Sequence, residues 1–231
     1  LNQLFELLTE YGPIHEVWFD GAHPKRKGGQ TYNYAAWKKL IHTLAPKAPI
    51  FGREDIRWCG NESGRTRQTE WNVIPYSINP DTANHFADLT DVDLGGREKL
   101  TKAKYLHYQQ AEVNTSIREG WFYRDDTHQK TRSADDVFDI YERAVGGNAT
   151  FLLNIPPNRE GRFSPQDVEV LNEVGKRIRT TYEPHLMANA KGPKEVLDNN
   201  SETSVSVKDK LLLTWPSSCL LYTSPSPRDM R

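Results

Sequence analysis

His15-Glu16-Val17-Trp18-Phe19-Asp20-Gly21-Ala22 is the stretch on which the reading of this chain turns. It is a short apolar and aromatic run ending on a carboxylate followed by glycine, a residue that lets the backbone turn without a Cβ penalty. A buried strand of this kind holds Asp20 at the rim of a core. Upstream, Leu1, Leu4, Phe5, Leu7 and Leu8 recur at helical spacing, and Tyr11-Gly12-Pro13 closes that helix. Helix, turn, strand and acid in this order suit a (β/α)8 barrel, in which the C-terminal ends of the strands carry the chemistry. A turn or helix-capping aspartate is the plainer reading of Asp20, and this stretch alone leaves both open.

Downstream, the pattern repeats. A basic loop, Lys25-Arg26-Lys27-Gly28-Gly29, leads to a helix containing Tyr34, Trp37, Leu40, Ile41 and Leu44 and closed by Pro46. Ala48-Pro49-Ile50-Phe51-Gly52 predicts the next strand, with Arg53, Glu54 and Asp55 at its end. From Arg57 to Gly96 no regular period holds, which predicts a long functional loop excursion. Tyr105, Leu106, Tyr108 and Ala111 lead into Glu112-Val113-Asn114, read as a third strand ending on an acid.

Ser133 is placed to cap a helix, with Asp135 and Asp136 in its first turn and Val137, Ile140, Tyr141, Ala144 and Val145 on its buried face before Gly146-Gly147. Phe151-Leu152-Leu153-Asn154-Ile155 reads as a fully buried strand stopped by Pro156-Pro157. Ser164 then caps a helix through Val168, Leu171, Val174 and Ile178. The expected fold is α/β, the C-terminal half of a (β/α)8 TIM-like barrel over residues 1–188. Alternation from Glu195 to Val207 predicts the start of a truncated β-sandwich domain over residues 189–216. Cys219-Leu220-Leu221-Tyr222-Thr223-Ser224-Pro225-Ser226-Pro227-Arg228-Asp229 resembles a translated transposase adapter from sequencing libraries. Residues 217–231 are therefore read as an adapter-derived, disordered tail without function.

Composition narrows the function. Lys+Arg number 30 against 31 Asp+Glu, the signs are mixed along the chain, and no nucleic-acid partner is expected. No apolar run is long enough for a membrane span. Two cysteines, Cys59 and Cys219, are too few for a disulfide framework and lack metal-ligand spacing. A mean hydropathy of −0.74 beside six Trp, ten Tyr and eight Phe suits a polar surface with flat sugar-binding platforms, although aromatics also fill cores.

The rim acids are Asp20, Glu54, Asp55, Glu62, Glu70 and Glu112, with no metal cluster, GxSxG elbow or phosphate-cradling loop beside them. Carboxylates on different loops of one barrel face, among Trp and Arg, point to glycoside hydrolysis. That chemistry needs one ionised acid to attack the sugar or activate water, and one protonated acid to serve the leaving oxygen.

Four motifs sharpen this: Val17-Trp18-Phe19-Asp20-Gly21-Ala22, Trp58-Cys59-Gly60-Asn61-Glu62-Ser63-Gly64, Ser116-Ile117-Arg118-Glu119-Gly120-Trp121-Phe122-Tyr123 and Leu152-Leu153-Asn154-Ile155-Pro156-Pro157. Together they resemble the α-L-fucosidases of glycoside hydrolase family 29, from Leu1 to about Val207. The Gly-Asn-Glu around Glu62 resembles the subfamily that prefers α-1,3- and α-1,4-linked fucose. The resemblance implies a retaining exo-hydrolase of fucosylated oligosaccharides or glycoconjugates, with no cofactor and no metal. Asp20 would be the nucleophile and Glu62 the acid/base, with Glu112 the rival to Glu62, or else a residue standing behind the sugar contacts or a ligand to sugar hydroxyls.

It also places Arg53 near the fucose and the nucleophile. Trp18 and Trp121 would pack on the sugar, Glu70-Trp71 would serve the aglycone side, and Asn154 would fix backbone. Each of the tryptophans has core packing as its plainer role, and Arg53 a surface ion pair. The family's earlier strands, including a histidine pair that holds fucose hydroxyls, would lie upstream of Leu1, as would any signal peptide for a periplasmic or extracellular destination. Whether this fragment is active by itself, and its oligomeric state, stay open. Other retaining barrel glycosidases, or a lectin-like protein that binds fucosylated glycans without cleaving them, remain the alternatives.

Overall fold

The computed structural model describes residues 1–20, 32–52, 55–83, 90–125, 129–182, 189–198, 200 and 202–214. The chain divides into two compact units, Leu1–Val174 and Gly175–Arg231. The expectations for Lys25 to Gly29, for Arg53 and Glu54, and for the tail from Ser217 lie outside the described residues.

The first unit is built on a five-stranded parallel sheet. Helix α1 (Asn2–Thr9) leads to β1 (Val17–Trp18), α2 (Tyr34–Leu44), β2 (Ile50–Phe51) and β3 (Ile56–Trp58). An excursion follows, with β4 (Val73–Tyr76), α3 (Arg97–Lys102) and β5 (Tyr105–Tyr108). The sheet then resumes with β6 (Gln110–Ser116), α4 (Ala134–Gly146) and β7 (Ala149–Asn154), and α5 (Pro165–Tyr182) comes after it. The sheet order is β1-β2-β3-β6-β7, so each new strand joins the same edge in chain order. Such one-way growth is what a barrel needs, whereas a doubly wound sheet reverses.

Local chemistry accounts for the elements. The Asn33 side chain caps α2 by accepting from the Ala36 N–H at 3.0 Å, and Ile41 on its inner face is fully buried against Leu8 and Ile50. Ser133 caps α4 by accepting from the Asp136 N–H at 3.1 Å, and its buried stripe is Val137, Ile140 and Ala144. Tyr141 is half-buried and Val145 faces solvent, so the stripe is narrower than the sequence predicts. That stripe meets Ala111, Val113 and Cys59 on the outer face of the sheet. Alternation along β6 therefore turns Glu112, Asn114 and Ser116 to the opposite, inner face.

Three expectations change. The segment from Arg57 to Gly96 is not all loop, because Ile56–Trp58 is a central strand and Val73–Tyr76 pairs antiparallel with Tyr105–Tyr108 in a second sheet. Tyr105 to Tyr108 thus belongs to that hairpin and not to the strand carrying Glu112. The buried Gln109 marks the switch, donating its N–H to Asn72 O at 2.7 Å while its Oε1 accepts from the Tyr76 hydroxyl at 2.6 Å. Glu112 is consequently inside β6, two residues after its start, and does not end a strand.

Asp55 also leaves the rim. The chain steps sideways between β2 and β3, pairing Phe51 with Ile56, and Asp55 sits at the entry of β3 with its carboxylate accepting from the Ile50 N–H at 2.9 Å. In the second unit, the segment Glu195 to Val207 forms no strand among its described residues. A short helix, α6 (Lys194–Leu197), occupies its start, and Val205 and Val207 are 36% and 45% exposed. Alternating residues need a paired ladder to become a sheet, and among the described residues of this unit an isolated bridge joins Lys191 to Thr214.

Candidate active site

Asp20 follows β1 and Glu62 lies in the loop after β3, both at the C-terminal end of the same parallel sheet. Both are exposed. Strand β2 lies between their strands, so β1 and β3 stand two inter-strand spacings apart, roughly 9–10 Å.

The turn beneath Asp20 is tightly made. Gly52 has φ +76°, and a Cβ there would stand 2.9 Å from the carbonyl oxygen of Phe19. Only glycine lets the β2 exit approach the end of β1 so closely. Trp18, two residues before Asp20, stacks one face on Phe51 at 4.9 Å and 7° and keeps 44% of its surface exposed.

The Glu62 loop is organised around Asn61. Its Oδ1 accepts from the Ser63 N–H, the Ser63 hydroxyl and the Arg65 N–H at 3.1, 2.8 and 3.0 Å, and its Nδ2 donates to Arg65 O at 2.8 Å. The fully buried Thr115 donates its hydroxyl to Glu62 O at 2.7 Å. Arg132 supports that contact, donating to Thr115 Oγ1 at 3.2 Å and Ser116 O at 2.8 Å while pairing with Asp136 at 2.6 Å. Gly64, at φ +79°, lets the loop lie on Ile140, where a Cβ would meet Cδ1 at 2.8 Å. The Glu62 backbone is thus held from three sides while its carboxylate faces outward.

Glu70 is fully buried and ion-paired with Arg57 at 2.8 Å and Arg67 at 3.0 Å. Burial would raise its pKa, but the Arg67 N–H and the two guanidiniums outweigh this and hold the carboxyl below its usual range. Its backbone is tied to Gly147 O and to Asn148 Nδ2, which binds the excursion to the α4–β7 turn. Trp71 gives its carbonyl to Arg57 at 2.9 Å and packs its ring against Gly95. Burial pushes the neighbouring Cys59 thiol up to about 12, with Glu70 adding to the rise.

Glu112 is fully buried on the inner face, opposite Trp58 of β3 and Thr150 of β7. Its Oε1 accepts from Asn114 Nδ2 at 2.8 Å. Burial pushes its carboxyl up to about 8, the nearby Glu16 adds to this, and Asn114 and Trp18 oppose it. Arg118 is also buried and makes a two-pronged contact from Nε to both oxygens of Asp167 at 2.9 Å. Asn154 donates to Ser116 Oγ and Trp121 O, each at 3.0 Å, which fixes the half-buried Trp121 beside Phe122, 84% exposed.

Among the described residues no group of three His, Cys, Asp or Glu could hold a metal ion, and no helix is long and apolar enough to cross a membrane. Sequence reasoning does not single out Glu16, Thr115 or Arg132, and it gives Asn61 no role beyond its place in the Gly-Asn-Glu motif. For Glu16 a signal existed, since Glu16, Trp18 and Asp20 share one strand face by period 2.

The sequence model of the α-L-fucosidase family matches residues 1–183. The chain belongs to the α-L-fucosidase family. Within the family, it is 36% identical over 196 residues to alpha-L-fucosidase 1 of Arabidopsis thaliana, covering 82% of this chain and 36% of that protein. A family 29 glycoside hydrolase from an unknown rumen bacterium superposes with a TM-score of 0.62 at 31% identity, covering 83% of this chain and 35% of the other. The GH29 fucosidase of Ruminococcus gnavus, solved with fucose, gives a TM-score of 0.67 at 26% identity, covering 87% of this chain and 44% of the other. The chain therefore spans about a third of the length of the curated fucosidases it matches, whose covered shares are 36% and 35%. These likenesses fit a sheet that is part of a TIM barrel.

Proposed function

We propose that the protein carrying this chain is a retaining exo-α-L-fucosidase acting on terminal fucose in fucosylated oligosaccharides or glycoconjugates, of the α-1,3/α-1,4 type. The observation that carries this reading is the placement of Asp20 and Glu62 at one end of one parallel sheet, in a chain of the α-L-fucosidase family. Asp20 attacks the anomeric carbon and forms a covalent fucosyl ester. Glu62 protonates the leaving oxygen, then takes a proton from the water that cleaves the ester. Retention requires the two carboxyl groups to come within about 5–5.5 Å of one another across the scissile bond.

The burial of Glu70 and Glu112 supports these roles. Glu70 is saturated by two arginines and Glu112 is sealed from solvent, so neither meets an aglycone oxygen, whereas Glu62 is exposed on a fixed backbone. The open face of Trp18 suits stacking on the sugar, with Trp121 and Arg53 completing the fucose side and Trp71 further out. No cofactor takes part, and the protein works in the periplasm or outside the cell.

The test uses a panel of nitrophenyl glycosides and a fucosylated trisaccharide. The reading predicts release of fucose alone, loss of turnover in Asp20→Ala, and partial return of turnover with azide. Full activity in Asp20→Ala, or cleavage of another sugar in preference, overturns it. Binding of the trisaccharide without product release would favour the lectin-like alternative.

A further inference from the structure

Three side-chain oxygens buried within the barrel face lack a hydrogen-bond donor: Glu16 Oε1, Glu112 Oε2 and Asn114 Oδ1. Glu16 immediately precedes β1, and its carboxyl is close enough to that of Glu112 to act on it directly. Two acceptor-only carboxylates cannot satisfy one another. Left ionised, they would add like-charge repulsion to the desolvation of both, and both oxygens are closed to bulk water. A single proton between them converts the repulsion into a charge-assisted O–H···O bond and satisfies both oxygens at once.

We propose that Glu16 and Glu112 share one proton and act as a positioning pair, bridging the entry of β1 to the middle of β6 and fixing Trp18 and, two residues on, Asp20. The remaining contacts agree. Asn114 Nδ2 holds Glu112 Oε1 at 2.8 Å, and the Trp18 indole lies against the same carboxyl while its ring rests on Phe51. Glu112 thus meets Glu16 and Trp18 from the β1 side and Asn114 from its own strand. Its register partners on β3 and β7, Trp58 and Thr150, do not titrate. Glu16 is the charged group that acts on it among the described residues. β1 is only two residues long and is an edge of the described sheet, and the bridge ties it to the sheet interior at β6.

The link to Asp20 rests on the reading of that residue as nucleophile; the shared proton does not. Difference infrared spectroscopy of the chain therefore comes first, following the protonated-carboxyl stretch and its deuterium shift from about pH 6 to about pH 9.5. The band is expected at the acid end, to vanish as pH passes the Glu112 value of about 8, and to be absent from Glu112→Gln. In Glu16→Gln it should vanish at lower pH, because the neighbouring charge is gone. No band at the acid end, or an unaltered band in Glu112→Gln, overturns the shared proton.

The positioning role is read from Trp18 emission, taken as the difference between the chain and Trp18→Phe. A shift on the alkaline side that Glu112→Gln abolishes supports it, and an emission indifferent to pH overturns it. In the active enzyme, the same deprotonation should lower kcat more than it raises KM, and Glu112→Gln should move the alkaline limb upward. An unmoved limb beside a confirmed infrared band and Trp18 shift would overturn the link to Asp20 while leaving the shared proton standing.

Discussion

The hydroxyl of Thr115, buried in β6, donates to the carbonyl oxygen of Glu62 at 2.7 Å, and so ties the proposed acid/base to the middle of the sheet. Ser63, the next residue, forms a bridge with the same Thr115. Thr115→Val keeps the shape and removes the donor. We expect a fall in kcat of about tenfold to a hundredfold with little change in KM, since a displacement of the order of an ångström at a reacting group costs this much. Thr115→Ser should keep most of the activity. Steady-state kinetics on the fucosylated trisaccharide checks both.

Gly52→Ala should disturb the other half of the site. The added methyl meets Phe19 O at 2.9 Å at a residue with φ +76°, so the β1 exit that carries Asp20 must shift. We expect a loss of kcat together with a destabilisation of about 1–3 kcal/mol, read from kinetics and denaturant midpoints.

The ion pair between Arg118 and Asp167 carries no sugar in this account. Both groups are buried, so Arg118→Ala leaves a carboxylate without its partner and should cost about 3–5 kcal/mol of stability. Replacing both together should cost much less than the sum of the single changes. Urea unfolding of the single and double variants measures this.

Glu70 and Glu112 give opposite pH slopes. The folded-state pKa of Glu70 is lowered, so its contribution is present above the ordinary carboxylate value of 4.5 and is lost as pH falls through the lowered value. Glu112 is raised from 4.5 to about 8, so the folded state holds a proton that the unfolded chain has released, and stability falls as pH rises across that window. The slope is about 1.4 kcal/mol per pH unit at most. Glu70→Gln should flatten the acid limb of a stability profile, and Glu112→Gln should make the protein more stable than its parent at the alkaline end. Thermal unfolding across pH distinguishes the two.

Much of this architecture was legible before any coordinates. The run to Asp20 needed only an apolar stretch and a terminal glycine, and the Ser133 cap with its acidic first turn marked α4 by local chemistry alone. Strand β3 was not legible because it follows β2 after only four residues, with no helix between the two parallel strands to mark a new β/α unit. Glu112 was misplaced because no glycine or proline punctuates Tyr105 to Ser116, and the tertiary contacts of Gln109 divide it between two sheets. Glu70 looked like a rim acid because its partner Arg57 stands thirteen residues away, a pairing that sequence spacing does not announce. Asp20 and Glu62 themselves were found through motifs, with their common end of the sheet supplied by the fold.

The measurement that tests the central claim most directly is mass-spectrometric mapping of the enzyme after reaction with a fucosyl fluoride bearing fluorine at carbon 2, which slows release of the covalent intermediate. The account predicts a fucosyl label on the peptide containing Asp20. A label on Glu62 or Glu112, or release of the inverted sugar with no label at all, would contradict it.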